Sequence, residues 1–143
     1  MDEVRRRIGA LTAGSARQWG TMTVDQMVCH LADSFEIGLG TRPVPDVSNW
    51  FTRTGLRWFA LHVPLRWPKG AQTLPEVDPT RKGTTPTALA SDVQRLEDVL
   101  STFMDVASRG QCGPHPLFGT ISPTDWLRWG FLHTDHHLRQ FGV

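Results

Sequence analysis

Four histidines and one aspartate carry the chemistry open to this sequence. Three of the histidines, His133, His136 and His137, fall in one stretch, Ser122 to Gly142. At about 100° per residue on a helix, His133 and His137 project from one face one turn apart, with His136 on its edge. The fourth, His30, shares one side of an earlier stretch with Asp33. An imidazole aimed into an apolar interior needs a partner. Two imidazoles one turn apart share a single partner best when it is a metal ion. An inward histidine is also commonly a hydrogen-bonded core residue, and a His pair at this spacing does not by itself separate the two readings.

The elements that must position these groups have legible ends. Ser122 can cap free amides, Pro123 suits the first helical position, Asp125 can close a capping box and oppose the dipole, and Gly142 is a stop signal. On the helical wheel Trp126, Trp129, Gly130, His133, His137 and Gln140 share one side. Leu127, Phe131, Leu138 and Phe141 continue the apolar stripe, and Arg128, Asp135 and Arg139 face the opposite way, toward water. The earlier helix opens at Thr23, paired with Gln26 in a capping box, and ends at Gly38 or Gly40. Thr23, Gln26, Met27, His30, Asp33, Ser34 and Ile37 share its inward side, extended by Val24, Leu31 and Phe35. Asp25 and Glu36 face away, with Cys29 and Ala32 between them. Two helices thus follow one design: a wide buried face with histidine in its middle.

The rest of the chain supplies a scaffold. Residues 2–10 have a weak helical pattern with Val4, Ile8 and Leu11 on one side. Residues 49–63 read as a helix rich in aromatic residues (Trp50, Phe51, Trp58, Phe59), with Arg53 and Arg57 on its polar side. A helix this apolar is either central or covered by a partner. Arg66 to Pro86 is broken by prolines and glycines and is expected to be the least ordered stretch, a lid or a dimer contact. Thr87 is expected to cap the longest helix, 87–108, with Leu89, Val93, Leu96, Leu100, Phe103, Met104 and Ala107 buried and Asp92, Arg95 and Asp98 solvated. His115, between two prolines, is expected at the surface or rim. No run alternates long enough for a strand. The expected fold is an all-α four-helix bundle, with a short extra N-terminal helix and a long Pro-rich crossover loop, forming one domain over residues 1–143.

Composition narrows the function classes. The chain has 143 residues and a formal charge of +1, which implies no long-range pull on nucleic acid or membrane. Cys29 and Cys112 match no zinc or redox spacing and point to a reducing compartment. No apolar run reaches membrane length and no signal-peptide pattern opens the chain, so a cytoplasmic protein is the default.

Two motifs add a family. Trp19-Gly20-Thr21-Met22-Thr23 followed by Gln26-Met27-Val28-Cys29-His30-Leu31-Ala32-Asp33-Ser34 resembles the second-helix signature of the DinB-like (YfiT-like) metalloenzyme superfamily, and His133-Thr134-Asp135-His136-His137-Leu138-Arg139-Gln140 resembles its last-helix signature. His115-Pro116-Leu117-Phe118-Gly119 and Asp125-Trp126 are similar to a bacterial branch with no assigned function. The resemblance implies an up-down-down-up bundle and a three-histidine metal site at His30, His133 and His137, in agreement with the wheels. His136 is a departure, since an i, i+3 pair with His133 can also chelate; His137 is preferred because it shares His133's sector. Asp33 is the catalytic candidate, as a base, a fourth ligand or an acceptor for an imidazole N–H, with Gln26 and Gln140 weaker candidates for the last role.

Three neutral imidazoles leave a divalent cation its full charge and open positions, the catalytic pattern. Such an ion attracts hydroxide, carboxylate or thiolate and lowers the pKa of a bound water or thiol. All-nitrogen ligation suits zinc, nickel, cobalt, iron or copper. The resemblance implies a thiol S-transferase or detoxification enzyme acting with a low-molecular-weight thiol such as bacillithiol or mycothiol. The other readings are metal-assisted hydrolysis, iron and oxygen chemistry, and a non-enzymatic metal- or small-ligand-binding stress-response bundle. The aromatic third helix and the habit of the family imply a homodimer.

Overall fold

The helix that begins at Thr23 is buried almost all the way round. In a computed structural model, which describes residues 2–143, α2 (Val24–Leu39) has twelve of its sixteen residues buried, so it is the axis on which the other elements pack. Thr23 and Gln26 form the reciprocal capping box, and Gly40 ends the helix in the left-handed region at φ 73°, where a Cβ would be strained. Cys29 and Ala32 are fully buried, and Met27, His30, Asp33, Ser34 and Ile37 of the expected inward face are buried with them, whereas Thr23 is exposed and Gln26 half-buried at the cap.

Around α2 stand α1 (Asp2–Gly9), α3 (residues 50–62), α4 (Leu89–Ser108) and α5 (Pro123–Gln140). Among the described residues these five helices, one short 3₁₀ turn (Pro75–Val77) and an isolated bridge between His115 and Gly119 make up the regular structure, and there is no strand. The fold is an all-α helical bundle. α2 packs along α4 and also meets α5, and α1 leans on α4 and α5 through Val4 and Ile8. One aromatic layer ties α2, α4 and α5: Phe35 and Phe103 lie 4.7 Å apart, and Trp126 and Trp129 stand edge-on at 5.3 Å. Gly130 allows this approach, since a Cβ there would lie 3.0 Å from Phe103 and 3.2 Å from Phe35.

Several expectations change in the folded chain. α4 starts at Leu89, and Thr87 does not cap it. Instead the Asp92 carboxylate accepts the Thr87 backbone N–H at 2.8 Å and its hydroxyl at 3.0 Å, which buries Asp92 rather than leaving it solvated. Arg95 also turns inward: it bonds Asp33 at 2.8 Å and Glu36 at 2.6 Å. Phe131 is exposed and Thr134 takes a buried place, its hydroxyl bonded to the Gly130 carbonyl. Asp135 lies half-buried between Arg7 and Arg139 because α1 covers that side of α5. α3 is wound as a π-helix over Thr52–Leu56 and as an α-helix over Arg57–His62.

The Pro-rich crossover is tied down more firmly than its composition suggests. Val77 is buried, Arg42 donates to the Glu76 carbonyl, and Thr84 donates its N–H and hydroxyl to Asp33, both at 2.7 Å. The segment is a strap fastened across α2.

Candidate metal centre

The capping box at Thr23 fixes the phase of α2, and the Ser122 cap, whose hydroxyl accepts the Asp125 N–H at 3.0 Å, fixes that of α5. Those phases turn His30 toward His133 and His137. One nitrogen from each of the three rings lies within 4.8 Å of the others. The Nε2 atoms of His30 and His133 are 3.2 Å apart. Two nitrogens each about 2.0–2.1 Å from one tetrahedral ion stand about 3.3 Å apart, so this pair is spaced as ligands of a common ion are. Trp129 lies 4.9 Å from the His133 ring, and Trp67, from the crossover, 6.1 Å from it.

Hydrogen bonds behind the rings decide which nitrogens are free. His30 Nδ1–H donates to the Val77 carbonyl at 2.8 Å. His137 Nδ1–H donates to Gln140 Oε1 at 2.9 Å, and the Gln140 amide is oriented by its own N–H bond to the Trp19 carbonyl. Both rings therefore present a bare Nε2 lone pair to the cluster. A proton on His133 Nε2 can serve one of those lone pairs and leaves the other without a donor. His133 Nδ1 is buried with no partner at all. A cation at the centre satisfies the inward nitrogens together, and the donor set, three neutral imidazoles of which those of His30 and His137 have hydrogen-bonded backs, fits a divalent transition metal.

The rings are held neutral, as ligands must be. Burial is the chief cause in each case. It lowers His30 against the opposing pull of the Val77 bond. It pushes His133 and His137 well below the usual histidine range, helped by the mutual repulsion of the charged forms.

Asp33 occupies a different place from the one expected of a base or ligand. It is fully buried, and its carboxylate accepts from Arg42 at 2.7 Å, Arg95 at 2.8 Å and both donors of Thr84. Both nitrogens of His30 have other partners, so Asp33 bonds no imidazole. Two guanidiniums and an amide N–H engage both of its oxygens, and its role is to tie α2, α4 and the strap. His136 is buried beside the cluster with its Nδ1 unpaired, between Trp19 and Trp67, and is outside the converging set. Gln26 is spent on the Thr23 cap. His115 is buried, contrary to the rim position expected of it: its ring stacks on Phe118 at 4.6 Å and Nδ1 accepts the N–H groups of Leu117 and Phe118 at 3.2 Å.

The Val77 carbonyl is the functional group that sequence reasoning missed. A backbone oxygen leaves no side-chain signature, and Val77 sits in a stretch whose prolines signalled only irregularity.

A family model described as "Protein of unknown function (DUF1569)" matches residues 1–142. The chain belongs to the DUF1569 family. No curated protein and no solved structure matches it. No helix among the described residues of this DUF1569 chain is long and apolar enough to cross a membrane.

Proposed function

We propose that this DUF1569 chain is a divalent-metal-dependent enzyme of the DinB-like kind, and that His30, His133 and His137 hold the metal. The observation that carries the reading is the pair of bare Nε2 lone pairs on His30 and His137, aimed at a common centre with His133 and fixed there by Val77 and Gln140. A core histidine with no ligand to hold needs one partner per polar nitrogen, and this cluster lacks the protons to provide them.

When bound, a divalent ion with only these three neutral ligands supplies an electrophilic centre with open positions that favours an anionic nucleophile. The chain's own residues do the rest. Val77 and Gln140 hold the tautomers, Trp67 and Trp129 flank the His133 ring, and burial keeps the imidazoles unprotonated. The motif resemblance favours a low-molecular-weight thiol as the nucleophile, with transfer of that thiol to an electrophile as the reaction. In this reading Asp33 maintains the scaffold and takes no part in proton transfer.

The test is metal content of protein purified without a His tag, followed by turnover of thiol plus electrophile. About one equivalent of metal is expected in the wild type. His30→Ala, His133→Ala and His137→Ala should each lose it, while His136→Ala should retain it. Loss in His136→Ala with retention in His137→Ala would move the ligand by one residue. Metal binding without activation of any small thiol would exclude the transferase and leave a metal-binding module.

A further inference from the structure

The outer face of α5 borders a cleft of about 490 Å³, within the size range of small-ligand sites. Arg128, Phe131, Leu132, Asp135 and Arg139 lie along one side of it at helical spacing, on the part of α5 turned away from His133 and His137. The chain from Leu61 to Trp67, at the end of α3 and just beyond it, forms the other side. Hydrogen bonds hold that wall in shape. The Leu65 N–H bonds the Val63 carbonyl at 2.7 Å, and the Trp67 indole N–H bonds the Ala60 carbonyl at 2.8 Å. A wall fixed in advance costs a ligand little ordering.

Two properties of the cleft select its occupant. The first is spare positive charge. Asp135 is the one carboxylate among the lining residues, and Arg7 and Arg139 already take its two oxygens, each at 2.8 Å. His62, at the rim, faces Asp125 at 3.4 Å. Arg66 and Arg128 have no acid and no hydrogen-bond partner among the described residues, whereas Arg7, Arg42, Arg95 and Arg139 are each paired with a carboxylate. A guanidinium left open in this way receives a carboxylate with two parallel bonds. Two such groups suit one small anion and are too few to follow a nucleic-acid backbone. The second property is apolar wall beside that charge. Leu65 is 60% exposed and Phe131 44%, and Leu61, Leu132 and Trp67 continue the surface.

We propose that this cleft binds a small-molecule carboxylate with an aromatic body, its acid on Arg66 and Arg128 and its ring against Phe131 and Trp67. The charge selects against a neutral aromatic compound, and the apolar wall selects against a simple inorganic anion. The inference requires no metal. The site nevertheless shares one side chain with the histidine cluster, because Trp67 also lies 6.1 Å from the His133 ring and 6.3 Å from that of His136. An occupant of the cleft is thus one indole away from the candidate metal centre.

The experiment is calorimetric titration of the full chain, as purified, with 4-phenylbutanoate and with 4-phenylbutan-1-ol, which keeps the body and removes the charge. Proton–nitrogen spectra of the indole N–H signals follow the same titrations, with the Trp67 signal assigned by its loss in Trp67→Phe. The acid should bind once per chain with a Kd below about 1 mM and shift the Trp67 signal, and the alcohol should bind at least about tenfold more weakly. Arg66→Gln and Arg128→Gln should each weaken the acid about tenfold at an unchanged melting midpoint, since both side chains are exposed. Arg5→Gln, an exposed arginine of α1, should leave it unchanged. No binding of the acid at about 10 mM overturns the inference, and so does equal binding of the alcohol. Affinity that survives both cleft substitutions, or a Trp67 signal that stays in place at saturation, overturns it as well. Flotation of the chain with vesicles of equimolar phosphatidylcholine and phosphatidylglycerol, lost in Arg66→Gln and Arg128→Gln, would assign the cleft to a lipid headgroup and also overturn it.

Discussion

Gln140 does two things at once: its N–H bonds the Trp19 carbonyl and its oxygen receives the His137 Nδ1–H. The first bond keeps the amide from flipping, so the second keeps His137 in the tautomer that frees Nε2. Residues behind metal ligands typically contribute 10–100-fold to affinity. Gln140→Leu is therefore expected to weaken metal binding about 10–100-fold, measured by competition with a chromogenic chelator. Unchanged affinity would show that the tautomer of His137 needs no support. His30 has its equivalent in the Val77 carbonyl, which no side-chain substitution removes. That asymmetry explains why Gln140 was visible as a candidate in the sequence and Val77 was not.

At the scale of elements, Asp33 and the strap decide how α2 is held. Asp33→Asn removes the charge that faces Arg42 and Arg95. Breaking a buried ion pair costs about 3–5 kcal/mol; both guanidiniums keep Glu36 and some solvent, so about 2–4 kcal/mol is expected, read as a lower urea midpoint. The metal stoichiometry of that variant should be unchanged. Loss of metal with stability intact would return Asp33 to the site.

The loop before α5 makes a second prediction. Burial lowers the His115 pKa to about 3. The unfolded chain takes up a proton near pH 6.5 and the folded one does not until about 3, so stability falls as pH drops through that window. The contribution of His115 is up to about 1.4 kcal/mol per pH unit. His115→Asn should flatten the acid limb of stability against pH by one proton's worth; an unchanged slope would mean the ring already takes up a proton in the native state.

Much of the bundle was legible in the sequence because its signals are local. Thr23 with Gln26, Ser122 with Pro123, and Gly40 act within a turn, and the histidine phases follow from the period of the helix. What was not legible depends on distant partners. Asp92 and Arg95 look like solvent-facing charges on a wheel, and only Thr87 and α2 draw them inward. His115 looked like a rim residue because its flanking prolines say nothing of the tryptophans of α5, Trp126 and Trp129, which lie 5.2 and 5.1 Å from its ring.

For the whole molecule, the proposed metal centre would link metal binding to folding, since His30 comes from α2 and His133, 103 residues later, comes with His137 from α5. Metal at 100 times its Kd should stabilise the native state by about 2.7 kcal/mol, raising the melting midpoint by on the order of 10 °C. Stripping it should reverse the shift without changing the helical content, because capping and the aromatic layer hold α2 and α5 independently. The most direct test of the three-imidazole centre is X-ray absorption at the metal edge on untagged protein reconstituted with one equivalent of zinc. The account predicts about three imidazole nitrogens at roughly 2.0–2.1 Å with a water or hydroxide oxygen in the open position, and a drop by one imidazole in His133→Ala. A chain that retains no zinc, or one whose zinc shows no loss of imidazole in that variant, contradicts it.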